Sequence, residues 1–345
     1  QGISTVGQLV IVQDPVVYES DKNNTRDAAT ELPIPATACG VIEANEDVDY
    51  FRFKVEADSE LNFHVRCSRL QDRVHDMQRH ADPMITIRNA TGGTVAASDN
   101  HFFGDPFLNV KFDRAGDYFL EIRDVRYHGN KYWEYSVEVT NQPFVSNSYP
   151  MGIQIGQKTN VDLVGASLAS DARSEITLPA DCPLGPVWKQ LTQNESVTNP
   201  TVIYATTLPV TLESAADNTT PEGSQQFTMP AGINGRISAD SDVDCFRFTA
   251  KKDEKYTFEV RARRYQSSLD PYLRIINLDG KLIAENDDLR DFKRSFADSR
   301  IENWTVPADG EYAIEIRDMH LRGGDSYVYF IEATKAEPHF RLYAD

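Results

Sequence analysis

Long apolar runs are missing from this chain. No stretch approaches the roughly 20 consecutive apolar residues that a membrane-spanning helix requires, so membrane insertion is not expected. Cysteine is scarce: the 345 residues hold 4, at Cys39, Cys67, Cys182 and Cys245. None forms a C-x-x-C pair, which excludes a zinc ribbon or a thioredoxin-type centre. The four suit either two disulfides or four buried free thiols. Positive charge is in deficit, with 35 Lys and Arg against 53 Asp and Glu and a net charge of −18. Such a surface repels phosphate backbones and excludes nucleic acid as a partner; divalent cations, neutral polysaccharide and basic surfaces suit it. Helical 3.6-residue periodicity is nearly absent. So are H-E-x-x-H, G-x-S-x-G, a phosphate-cradling glycine loop and an EF-hand loop, and no catalysis is expected. No secretion signal is visible: the chain opens QGIST, without Met or a basic region, as a processed terminus or a piece of a longer chain would.

What is present is a repeat. DVDYFRF (47–53) returns as DVDCFRF (242–248). Upstream, PATACGVIEANE (35–46) matches PAGINGRISADS (230–241) without a gap, and ESDKNNT (19–25) matches ESAADNT (213–219). Downstream, DPMITI (82–87) matches DPYLRI (270–275), and GGTVAASDN (92–100) matches the DGKLIAEND that runs on to Asp288. AGDYFLEIRD (115–124) then matches DGEYAIEIRD (309–318), and YHGNKYWEYSVEV (127–139) matches LRGGDSYVYFIEA (321–333). Matched blocks in one order mark a duplicated domain of about 130 residues. Because Cys245 replaces Tyr50 between the copies, a disulfide common to both is not expected.

Strict alternation marks the strands. In YFRFKV, Phe51, Phe53 and Val55 share one face; in WEYSVEV, Trp133, Tyr135, Val137 and Val139 point one way. A hydrophobic share of 40% and 10% aromatics suffice for packed cores. The expected fold class is all-β: antiparallel, jelly-roll-like β-sandwich domains in tandem, with a small Ig-like sandwich between them. The expected boundaries are 15–144 and 213–345 for the two copies and 145–212 for the Ig-like domain. Residues 1–14 read as the terminal strand of a preceding Ig-like unit or a linker, because QLVIVQDPVVYES resembles TVIYATTLPVTLES at 201–214.

The ordered set of motifs resembles bacterial pre-peptidase C-terminal domains over roughly 15–142 and 209–341. Residues 145–212 look like the IPT/TIG-type Ig-like domain that accompanies them. The resemblance implies an extracellular β-sandwich that lies beside or downstream of enzymes. It also implies that calcium, collagen or polysaccharide binding is to be looked for, with calcium placed where the entry segment meets the sandwich. The residues implied for calcium are Glu19 and Asn24 in copy one, and Glu213 and Asn218 in copy two. The matched aspartates Asp47, Asp49, Asp82 and Asp99 recur as Asp242, Asp244, Asp270 and Asp287, and hard carboxylate oxygens are what calcium requires. The competing reading is turn formation, since Asp and Asn cap backbone N–H groups.

For sugar stacking a ring must be exposed, and the loop aromatics Phe102, Phe103, Tyr127, Tyr265 and Phe292 are the candidates. Trp133, Tyr327, Val110 and Trp304 read as core. In the two E-I-R-D strands, Ile122 and Ile316 are expected to face the core while Arg and Asp pair or cap turns. His75 and His80 do not share a helical or strand face, so no metal site is expected there. The reading is a non-catalytic binding module of a secreted or cell-surface protein. Its partners would be polysaccharide or extracellular matrix protein and the neighbouring domains of the parent chain, with calcium ordering the entry segments. The alternatives are a structural spacer adjoining a secreted enzyme, and a hydrolase with an unrecognised carboxylate site.

Overall fold

The computed structural model describes residues 9–70, 80–101, 104–193, 196–214, 218–291 and 294–336. Among these no α-helix occurs; the only helical turns are three-residue 3₁₀ segments at Arg26–Ala28 and Arg263–Tyr265. The chain divides into two compact units, Gln1–Pro143 and Phe144–Asp345. The first holds copy one. The second holds the middle segment together with copy two.

Copy one runs β1 (Val16–Tyr18), β2 (Thr30–Glu31), β3 (Ala36–Val41), β4 (Val48–Val55), β5 (Ser59–Arg66), β6 (Pro83–Asn89), β7 (Thr94–Ser98), β8 (Phe107–Phe112), β9 (Gly116–Asp124) and β10 (Glu134–Thr140). The middle segment runs β11 (Phe144–Tyr149), β12 (Gly152–Gln154), β13 (Lys158–Ala166), β14 (Arg173–Thr177), β15 (Gly185–Gln193) and β16 (Ser196–Thr206). Copy two runs β17 (Val210–Leu212), β18 (Gln225–Gln226), β19 (Ala231–Arg236), β20 (Val243–Ala250), β21 (Lys255–Arg261), β22 (Pro271–Asn277), β23 (Leu282–Asn286), β24 (Leu289–Asp291), β25 (Arg294–Phe296), β26 (Arg300–Thr305), β27 (Gly310–Asp318) and β28 (Val328–Lys335).

The sheet orders are β1-β3-β10-β5-β8 and β2-β4-β9-β6-β7 in copy one, and β17-β19-β28-β21-β26 and β18-β20-β27-β22-β23 in copy two. The chain thus winds back and forth between two sheets at almost every connection. Its opening strands run parallel to their neighbours: β1 with β3, β2 with β4, β17 with β19, β18 with β20. In the middle segment β12 also runs parallel to β16. The expected tandem of antiparallel, jelly-roll-like sandwiches with an Ig-like sandwich between them is corrected accordingly. The sheets are arranged as a β-solenoid of about ten turns rather than as sandwiches. Side-chain alternation has the same period in parallel and antiparallel strands, so the pattern that located the strands carried no information on their winding.

The buried faces are those the alternation marks. Phe51 and Phe53 are 0% and 1% exposed, as are Phe246 and Phe248, and each is worth about 1.5–3 kcal/mol when fully buried. Phe51 pairs with Leu120 and Phe246 with Ile314 in the same register of β4–β9 and β20–β27. Ile122, Ile316, Trp133, Val110 and Trp304 are buried, and Tyr327 packs against the copy-two core. The duplication extends to backbone conformation. Glu46 and Ser241 (φ 67° and 66°), Asp58 and Asp253 (59° and 67°), and Tyr127 and Leu321 (58° and 58°) all occupy the left-handed region. No disulfide joins the four cysteines, all of which lie among the described residues.

Within the second unit the middle segment is fastened to copy two. Met151, Val164, Tyr204, Val328 and Phe330 form an apolar seam. Gly152 N donates to Asn234 Oδ1 (2.7 Å), and Asn234 Nδ2 donates back to Gly152 O (2.9 Å). Tyr204 OH donates to Glu332 (2.9 Å), and Asn147 Nδ2 to Tyr265 O (2.9 Å). A Cβ on Gly152 would stand 2.2 Å from the Phe330 ring, so glycine is required by the close approach itself.

Candidate functional site

The two aspartates of DVD have different jobs. Asp47 is a turn former: its Oδ2 accepts from Glu43 N (2.8 Å) and its Oδ1 from Asn24 Nδ2 (3.1 Å). Asp242 does the same, accepting from Ser238 N (2.7 Å) and Val243 N (2.9 Å). Two residues on, strand alternation turns Asp49 and Asp244 onto the core-facing side of β4 and β20, in line with the phenylalanines. They are 2% and 0% exposed. A carboxylate there must find partners or a proton.

The partners come from the entry segment and from the last strand of the copy. Glu19 follows β1, where Glu19 N donates to Cys39 O (2.9 Å) and Glu19 Oε1 accepts from Val41 N (2.8 Å). The other face of its carboxyl group meets Asp49. Tyr135, buried on β10, donates to Asp49 Oδ2 (2.8 Å) and lies 3.4 Å from Glu19 Oε2. In copy two Glu213 N donates to Asn234 O (2.8 Å), Arg236 N donates to Glu213 Oε2 (2.8 Å), and Tyr329 OH donates to Asp244 Oδ2 (2.6 Å). Each copy therefore holds a Glu–Asp carboxyl pair capped by a buried tyrosine.

Burial, and then the hydrogen bond to Glu19, push Asp49 up to about 9. Burial, and then the charge of Glu213, push Asp244 up to about 8. Burial also raises Glu19 and Glu213, and it drives the two tyrosine hydroxyls far above their ordinary range. At neutral pH the physical picture is one proton shared across each pair, with the aspartic acid donating to the glutamate.

The asparagine on this site is Asn23. Its backbone oxygen accepts from Tyr50 N (2.9 Å), just as Asn218 O accepts from Cys245 N (2.9 Å), so Asn23 and Asn218 are the structural equivalents. Both are buried, whereas Asn24 is exposed and its Nδ2 donates to Asp47. One amide atom of Asn23 lies 3.2 Å from Asp49 Oδ1 and 2.7 Å from Ser20 O. It is the amide nitrogen, and it donates to both. Asn218 Nδ2 donates to Asp244 Oδ1 (3.2 Å).

The remaining candidates lie elsewhere. Asp82 and Asp270 sit beside the buried Asp124 and Asp318, which accept from Asp82 N (2.9 Å) and Asp270 N (3.1 Å) and cap the turns that follow through Arg126 N and His320 N. Asp99 and Asp287 are exposed. Tyr127 is 46% exposed, with the Arg123 guanidinium 4.2 Å from its ring centre. Tyr265 is half-buried and packs edge-on against Tyr204 at 5.6 Å, so it belongs to the seam. Phe102, Phe103 and Phe292, like His75, lie outside the described residues. Among those described, no group of three or more His, Cys, Asp and Glu side chains is placed to hold a metal ion, and no helix is long and apolar enough to cross a membrane.

Tyr135, Tyr329 and Asn23 are members of the site that the sequence reading did not select. The tyrosines alternate with core residues and look like them. Asn23 was obscured because copy two carries one residue more between Ser214 and Asn218 than copy one does between Ser20 and Asn23.

No family model and no curated protein matches this chain. Among solved structures it is similar to the pre-peptidase C-terminal domain of a collagenase from Bacillus anthracis (14% identity, covering 34% of this chain and 100% of that one, TM-score 0.26). It is similar to PliG, a periplasmic inhibitor of g-type lysozyme from Aeromonas hydrophila (15% identity, 36% and 95% covered, TM-score 0.23). It is also similar to the M60 catalytic domain with two CBM51 domains of Clostridium perfringens ZmpB (11% identity, 96% and 39% covered, TM-score 0.21). At these scores the likenesses carry neither fold nor function to this chain.

Proposed function

We propose that this chain is a non-catalytic module of an extracellular protein, secreted or at the cell surface. Each copy clamps its entry segment through a Glu–Asp carboxyl pair that calcium tightens, and presents its loops to polysaccharide or matrix protein. The observation that carries the reading is the duplication of one polar cluster inside otherwise apolar cores: Glu19, Asp49, Asn23 and Tyr135 in one copy, Glu213, Asp244, Asn218 and Tyr329 in the other. Two buried carboxyl groups side by side are stable with one proton between them. A divalent cation satisfies the same oxygens without it, and amide and backbone oxygens then complete its shell. Bound calcium would join the chain entering the copy to the strand that opens its core.

The test is retention of the chain on a panel of polysaccharides and collagen, in calcium and in EDTA. The reading expects retention that EDTA abolishes and that Asp49→Asn with Asp244→Asn weakens. A second reading, a stiff spacer without a ligand, is favoured by the apolar seam between the middle segment and copy two and by the packing of half-buried Tyr265 against it. Retention in neither condition would support the spacer.

A further inference from the structure

The segment ahead of β1 has a twin inside the chain. Thr37 N donates to Pro15 O (2.8 Å), as Gly232 N donates to Pro209 O (2.9 Å). Val16 pairs with Thr37, and Val210 with Gly232, in the same parallel register. Residues 9–12 therefore lead into copy one along the line by which residues 203–206 lead into copy two.

In copy two that line is the end of β16. Ile203 and Ala205 are 0% and 1% exposed in the core of the middle segment, and Tyr204 rests on Phe330. β16 is flanked on both sides, by β12 running parallel (Gly152 with Tyr204) and by β15 running antiparallel (Val187 with Ile203). At the matching positions of copy one, Leu9 and Ile11 are 93% and 95% exposed, while Val10 and Val12 are half-buried. Leu-Val-Ile-Val is a strong strand former with one apolar face in water. A scattered exposed leucine needs no explanation; two side chains this bare, alternating on a strand-forming segment, do.

We propose that residues 9–12 are the closing strand of a further β-unit built like residues 144–206, which takes Leu9 and Ile11 into its core and pairs with the segment on both edges. The partner is thus a unit with a vacant strand position, delivered on the copy-one end of the parent chain. The inference rests on exposure and register and is independent of calcium or ligand binding.

The test is a fusion carrying residues 144–202 of this chain directly ahead of Leu9, followed by amide hydrogen exchange. In the fusion the amides of residues 9–12 are expected to exchange about a hundredfold more slowly than in the unfused chain, and Leu9→Ser with Ile11→Ser to remove most of that protection. Core amides of copy one and of the native 144–206 unit report folding in the same molecule. If they stay protected while residues 9–12 exchange freely, the inference is overturned, whether or not the added segment folds. Sedimentation of the unfused chain is expected to give a monomer. A dimer lost on Ile11→Ser would also overturn the inference, by making a second copy of this chain the occupant.

Discussion

At the scale of single residues, DVD is a division of labour. Asp47 and Asp242 satisfy backbone donors; Asp49 and Asp244 carry a proton into the core. Asp49 keeps that proton in the fold up to about pH 9, whereas an unfolded aspartate loses it near pH 4. Between those limits the fold binds more protons than the unfolded chain, so this contribution is complete below about pH 4 and is lost as pH rises toward 9. In calcium-free buffer the urea midpoint of copy one should therefore decline from pH 5 to pH 9. Asp49→Asn keeps an acceptor for Tyr135 and should flatten that decline; parallel slopes for the two proteins would contradict the shared-proton account. A second residue-scale prediction concerns Gly129 and Gly323. A Cβ would lie 2.0 Å from Ala44 O in the first case and 2.1 Å from Ala239 O in the second. Each Gly→Ala substitution should cost about 1–3 kcal/mol in a chemical unfolding titration.

At the scale of elements, β10 and β28 carry different side chains at one matched position. Position 330 is Phe, fully buried in the seam; its counterpart in copy one is Ser136. Phe330→Ser should cost about 3–5 kcal/mol and split the unfolding of the second unit into two calorimetric transitions, because the seam is lost. A single unshifted transition would show that the seam does not couple the middle segment to copy two. Much of this layer was legible in the sequence. Alternation identified Phe51, Phe53, Trp133 and Ile122 as core, and ordered motifs located both copies. The winding was not legible, since β1 and β2 are two or three residues long and parallel pairing leaves no mark on side-chain period. The site was half legible. Glu19 and Asp49 stood out as repeated acids, but the hydroxyl of Tyr135 meets Asp49 across 86 residues of chain, and no local pattern announces that.

At the scale of the whole molecule, the account joins a net charge of −18 to two buried acid pairs. Such a chain gains from cations generally through screening, which is long-ranged and weak, and from calcium specifically only if the pairs bind it. The two effects separate by variant and by ion. The measurement that tests the central claim most directly is thermal unfolding at pH 8 and constant ionic strength, in calcium, in magnesium and in EDTA, for the native chain and for the Asp49→Asn, Asp244→Asn double variant. The account predicts that calcium raises the native unfolding temperature well above its values in magnesium and EDTA, and that the variant does not respond. A native chain indifferent to calcium, or a variant that responds as fully as the native chain, would contradict it.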